Sequence, residues 1–163
     1  MPGSPARRPP ESADLVRVLA ELSRHDVEYA LIGGAAMALH GFPRMTKDID
    51  LILPRDKANN RKLLKALEAL RATLALDHLP DKKTLDAGFS TSAEGDLGID
   101  LLFVAAARTF DDYRAHVITR ELDGVPVKIL DLDGMLLSKQ TDRPEDIPDR
   151  QRLSRLKGPG GGR

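Results

Sequence analysis

The sequence has no cysteine, which excludes disulfides and thiolate metal centres. Tryptophan is also missing, and aromatic residues make up only 4% of the chain, so little surface is left for stacking on nucleic-acid bases. Neither sign of charge is in excess: Lys and Arg number 25, and Asp and Glu number 25. A formally neutral chain does not suit a dedicated nucleic-acid coat protein, although a local basic groove stays open to it. No apolar run is long enough to cross a bilayer. The opening "MPGSPARRPPES" carries arginines with no apolar stretch behind them. It does not read as a secretory signal, and the expected location is the cytoplasm. What is present is 163 residues, 41% hydrophobic and 31% charged, an ordinary globular composition with room for one good core.

Residues 1–11, mostly Pro, Gly, Ser and Arg, are expected to form a disordered tail, and "GPGGGR" (158–163) a second one. The folded domain is expected at 12–157. Ser12 is the expected N-cap of a helix in which Leu15, Val18, Leu19 and Leu22 recur at amphipathic spacing. "VEYALIG" (27–33) reads as a buried strand, "AAMALH" as a short helix, and Gly41 and Pro43 as its stop. "DIDLIL" (48–53) is the next strand. Residues 57–72 form a helix with Leu63, Leu64, Leu67 and Leu70 on one face. "AGFSTSAE", "GIDLLFV" (98–104) and "VPVKIL" read as strands, and "TFDDYRAHV" and "LDGMLLSKQ" as helices, the latter capped by Asp131. A last helix is expected from Pro144 onward. There is no internal repeat. Helices alternate with strands, so the expected class is α/β (α+β), a mixed β-sheet flanked by helices.

The chemistry concentrates in "IGGAAMALHGFPRMTKDIDLIL" (32–53). Side chains alternate along a strand, so Asp48 and Asp50 share one face about 6.6 to 7 Å apart, while Ile49 and Leu51 point into a core. Two carboxylates on one face repel, and a divalent cation offsets that repulsion. Mg²⁺ fits, because it takes one or two carboxylates and completes its shell with water and phosphate oxygens. Asp100 is another acid inside an apolar strand. If that strand neighbours "DIDLIL", three carboxylates converge, enough for two metals about 3.5 to 4 Å apart. Gly33 and Gly34 open a helix and expose backbone N–H groups suited to phosphate. Alone, a D-x-D is often a solvated pair and a Gly-Gly a tight turn; together with Asp100 they favour a site. Glu94 and Asp96 are lower-ranked candidates for the third acid. His40, at a helix end, reads as structural, favoured there as His⁺ by the helix dipole. Thr46 can bond a phosphate, orient Asp48 or simply suit a strand. Asp131 and Asp133 read as capping residues. The basic positions of the 57–71 helix, and Arg150, Arg152, Arg155, Lys157 and Arg163 near the end, suit either RNA or a solvated face.

"GGAAMALHGFPRMTKDIDL" and the later "GIDLLF" resemble the signature of the polymerase-beta-like nucleotidyltransferase superfamily. The resemblance is to its small bacterial branch of minimal nucleotidyltransferases and AbiE-type toxin–antitoxin proteins. "ILDLDGMLLSKQTDRPEDIPD" resembles it less closely. The resemblance implies an Mg²⁺-dependent enzyme with a two-metal site on Asp48, Asp50 and Asp100. Asp100 would also help to deprotonate the attacking hydroxyl. Gly33, Gly34, Arg44, Thr46 and Lys139 would line the NTP, ATP included. The reaction would move an NMP to a hydroxyl on RNA, protein or a small molecule. The resemblance further implies a cognate toxin or antitoxin partner chain. Without an evident second domain, acceptor recognition is expected from such a partner or from a homo-oligomer. An antibiotic-type enzyme and a non-catalytic subunit keeping the same fold are the alternatives. Two departures stand out: Ala35 occupies a position where many members carry Ser, and Pro148 lies where related chains run on as helix. Asp146 and Asp149 are expected only to cap that helix.

Overall fold

The computed structural model describes residues 8–42 and 46–157. Helix α1 (Ser12–Arg24) leads into β1 (Ala30–Ile32), α2 (Gly33–Leu39), β2 (Asp48–Ile52), α3 (Lys57–Leu70) and α4 (Lys82–Asp86). Then come β3 (Thr91–Glu94), β4 (Gly98–Leu102), the short pair β5 (Val104–Ala105) and β6 (Arg108–Thr109), and α5 (Phe110–Tyr113). The hairpin β7 (Val117–Leu122) and β8 (Val125–Leu130) precedes α6 (Leu132–Ser138) and α7 (Asp146–Lys157). Six strands form one mixed sheet in the order β3-β4-β2-β1-β8-β7. β2 runs parallel to β4, and β1 parallel to β8, while β1 and β2 are antiparallel. This is the mixed, helix-flanked sheet that the sequence predicts.

Each element follows from local chemistry. In α1, Val18, Leu19 and Leu22 are fully buried, and the helix packs on β8 and α3. Its start is one residue earlier than expected: Glu11 is the cap, and Asp14 accepts from the Glu11 N–H at 2.8 Å. Asp14 also takes the Arg8 guanidinium at 2.8 Å. Asp56 caps α3 by accepting from the Ala58 and Asn59 N–H groups at 2.8 and 3.2 Å. Leu63, Leu67 and Leu70 of α3 are buried, and Leu64 lies at the edge of that face. Gly41 has φ +96 and ends the turn after α2 in the left-handed region.

Three expectations need correction. Only Ala30–Ile32 of the 27–33 segment joins the ladder, because Gly33 already opens α2. "TFDDYRAHV" is a four-residue helix followed by a 3₁₀ turn at Arg114–His116. "VITREL" is an edge strand that the sequence reading missed; its residues are exposed or half-buried, so it shows no apolar alternation. Its signal was Asp123-Gly124, a two-residue turn with φ +51 and +80 between two paired strands. No helix among the described residues is long and apolar enough to cross a membrane.

The burial pattern of α3 makes a prediction. Leu67→Ala is expected to cost about 2–5 kcal/mol. Leu64→Ala should cost less than half of that, measured by urea unfolding.

Candidate active site

The strand register assembles the site. Ile49 and Leu51 of β2 are fully buried, and Asp48 and Asp50 take the other face, half-buried. Asp50 stands directly opposite Asp100 on β4, and on its other side opposite Ile32 on β1. Residues paired in register point to the same face, so Asp50 and Asp100 are immediate neighbours. Glu94 pairs with Gly98, one step towards the Asp48 end, and Asp96 is exposed in the β3–β4 turn. Asp100 is therefore the acid in register with Asp50.

Gly33 follows Ile32 and is held there by two constraints. Its φ of +72 lies in the left-handed region, and a Cβ at this position would meet Asp50 Oδ2 at 2.2 Å. The carboxylate thus rests on the bare α-carbon at the start of α2. The α2 N-terminus has Ile32 as its cap residue, which offers no side-chain hydrogen bond.

The electrostatics follow from this crowding. Burial, first, and then the shared hydrogen bond and charge of Asp100 and the charge of Asp48, push the Asp50 carboxyl up to about 8; the Lys139 ammonium pulls it down. Among the described residues, no three His, Asp or Glu side chains stand as a preassembled metal cluster. Asp48, Asp50 and Asp100 nevertheless form an all-oxygen donor set of the kind that suits a hard divalent cation.

Lys139 reaches the site from α6. It is buried, and its Nζ lies 3.4 Å from Asp146 Oδ1 and 3.0 Å from Asp149 Oδ2. Both acids lie in the first turn of α7 and are themselves buried. The sequence reading gave them only a capping role; they hold Lys139. Pro148 sits between them within that first turn, where a missing N–H costs nothing. The signal available in the sequence was D-x-x-D at helical spacing after a lysine, since a buried ammonium requires acids.

The remaining expectations divide. Thr46 donates its hydroxyl to the Asp48 carbonyl at 2.9 Å, which braces the entry to β2. It also lines a cleft of ≈ 390 Å³ with Gly34, Ala35 and Ile49. Arg44 lies outside the described residues. His40 is structural, but as the neutral ring: burial holds its pKa below the usual value, and its Nε2 meets the Leu130 carbonyl at 2.7 Å. Asp131 caps α6 through the Gly134 N–H at 2.7 Å.

Residues 17–141 match the family model described as "Nucleotidyl transferase AbiEii toxin, Type IV TA system". The chain belongs to this family. An AbiEii chain is an enzyme of the nucleotidyltransferase type, and the solved structures agree on the fold. An antigenic nucleotidyltransferase-like protein from Paracoccidioides brasiliensis is 22% identical, with a TM-score of 0.55, over 93% of this chain and 78% of that one. The antibiotic-resistance factor ANT(2'')-Ia in solution is 20% identical, with a TM-score of 0.55, over 88% and 84%. The same protein in complex with adenylyl-2"-tobramycin gives 17% identity and 0.54, over 88% and 86%. None of the curated proteins compared with this AbiEii chain matches it.

Two predictions follow from the buried charges. The folded pKa of Asp50 is raised, so the stability of its protonated form is present at low pH and is lost as pH rises from about 4 towards 8. With chelator present, Asp50→Asn should melt above wild type at pH 8, and the gap should narrow towards pH 4; parallel melting curves would refute the assignment. Lys139→Met removes the buried cation between Asp146 and Asp149, leaving them the partly exposed Arg143 and Arg152, and is expected to cost about 3 kcal/mol in denaturant unfolding.

Proposed function

We propose that this chain moves a nucleoside monophosphate from an Mg²⁺-bound NTP to a hydroxyl acceptor on RNA, protein or a small molecule. It would do so as the toxin of a pair whose antitoxin is a separate chain. The observation that carries the reading is the register that sets Asp50 against Asp100, on adjacent parallel strands, with Gly33 at the end of the same row. The family description supports the toxin role. Residues 12–157 would be the catalytic domain, working in the cytoplasm. A second copy of the chain is an alternative source of the missing acceptor surface.

The residues have separate tasks. Asp48, Asp50 and Asp100 would hold the divalent cations, which when bound neutralise the carboxylates and the developing charge on the phosphates. The Gly33 and Gly34 N–H groups, at a helix start whose cap residue makes no side-chain hydrogen bond, would bind phosphate oxygens. Arg44 would add positive charge there. Lys139, fixed by Asp146 and Asp149, would bring a positive charge near the transferred group; Thr46 would brace Asp48. The acceptor oxygen forms a bond to the α-phosphorus as the bond to the bridging oxygen breaks and pyrophosphate departs. Asp100 would take the hydroxyl proton. The protein supplies positioning and charge rather than a covalent intermediate.

The test is transfer of α-phosphate label from each of the four NTPs, with Mg²⁺, onto total RNA, onto the protein itself and onto an aminoglycoside. Asp50→Asn serves as the blank. Label is expected on RNA or protein and should fall at least about a hundredfold in the blank. Label on the aminoglycoside alone would favour the antibiotic-type enzyme. No label and no NTP binding would favour a non-catalytic subunit.

A further inference from the structure

Lys139 is held to α7 at both of its ends. Its ammonium meets Asp146 and Asp149. Its backbone carbonyl accepts from the Arg150 guanidinium, which also reaches the Thr141 carbonyl at 3.2 Å. These contacts fix the lysine within the α6–α7 pair, but they do not fix where that pair lies on the sheet. The start of α6 is anchored there: Asp131 directly follows β8, and its N–H donates to the His116 carbonyl at 2.7 Å. Lys139 sits at the other end of the helix, just past its last residue.

Arg108 ties that far end back. Its half-buried side chain sends Nη1 to the Leu137 carbonyl at 3.3 Å and Nη2 to Gln140 Oε1 at 2.9 Å. The two acceptors flank Lys139 in sequence. A guanidinium here meets an unpaired carbonyl at the negative end of the helix. Arg108 comes from the short hairpin that follows β4, the strand of Asp100. The pairing of Ala105 with Arg108 leaves Ala106 and Ala107 as a two-residue turn, with φ +51 and +60. Such backbone favours glycine or asparagine, and alanine keeps it only where the surroundings hold it. Tyr113 supplies that hold: fully buried, it donates its hydroxyl to the Ala105 carbonyl at 2.7 Å. The hairpin is thus a bracket between the end of β4 and the last turn of α6.

We propose that Arg108 is a positioning residue for Lys139: it fixes the last turn of α6 against this hairpin and so sets where the ammonium stands over the acids of β2 and β4. The inference rests on the function proposed above, in which Lys139 brings positive charge to the transferred group. A misplaced ammonium loses much of its effect on charge that develops in the transition state. On that reading the cations, Gly33 and Gly34 carry NTP binding, so the loss falls on the transfer step rather than on affinity.

The first test reads Lys139 directly, on nucleotide-free protein. Acetylation by an N-hydroxysuccinimide ester is followed by mass spectrometry, with the exposed Lys65 as internal reference. Arg108→Met should raise the Lys139 rate at least about fivefold relative to Lys65, with hydrogen exchange of the α3 amides unchanged. Arg108→Lys keeps the charge and one donor at the helix end and should stay within about threefold of wild type. Unchanged Lys139 acetylation in Arg108→Met would overturn the proposal. So would an equal rise in α3 exchange, which marks general destabilisation. The second test is label transfer at saturating Mg²⁺-NTP. Arg108→Met should transfer at least about tenfold more slowly while binding the NTP within about threefold of wild type. Added to Lys139→Met, it should slow transfer by no more than about twofold; a further tenfold loss would show that Arg108 acts without Lys139 and overturn the role. A wild-type protein that transfers no label removes the proposed function. An active wild type matched in rate by Arg108→Met removes only the positioning role.

Discussion

The contact between the Asp50 carboxylate and the bare α-carbon of Gly33 is the constraint around which the site is built. It brings the end of β1 against the middle of β2, which fixes where α2 begins and which face of the sheet carries the acids. Any side chain at residue 33 would have to occupy the space of the carboxylate and adopt a backbone conformation that disfavours a Cβ. The glycine therefore satisfies two demands at once, one steric and one conformational. The hydrophobic core supports the arrangement from the other face, where Ile49 and Leu51 are fully buried beneath the aspartates.

The same crowding stores electrostatic tension. Burial and the neighbouring charges of Asp100 and Asp48 push the Asp50 carboxyl up to about 8. The Lys139 charge offsets part of this by pulling the Asp50 carboxyl down. Lys139 could not be buried alone. Its two acids come from the next helix, and they are themselves also met by Arg143 and Arg152.

Most of the fold was legible because its signals were local. β2 and β4 announced themselves as apolar runs interrupted by acids, and α1 and α3 as periodic leucines. The edge strand β7 was not legible from alternation, because a strand exposed at the sheet margin has little core to face; only the Asp123-Gly124 turn marked it. In the site, Asp48, Asp50, Gly33 and Gly34 could be singled out from their spacing within one short stretch. That Asp50 faces Asp100 could only be conditional, since nothing local says which strands are neighbours. The grip of Asp146 and Asp149 on Lys139 was missed for a related reason: the D-x-x-D spacing puts the two acids on one face, but which residue they face lies across the turn between two helices.

The Lys139 clamp also bears on the order in which the molecule becomes competent. The strands that carry the three aspartates are synthesised before α7, the last described element. Until α7 has left the ribosome and docked, Lys139 has neither of its carboxylate partners, and an unpaired ammonium is not stable in a dry interior. A growing chain can therefore close its sheet while Lys139 still lies in water. The charge beside the aspartates is therefore completed last, when α7 closes on residues made before it.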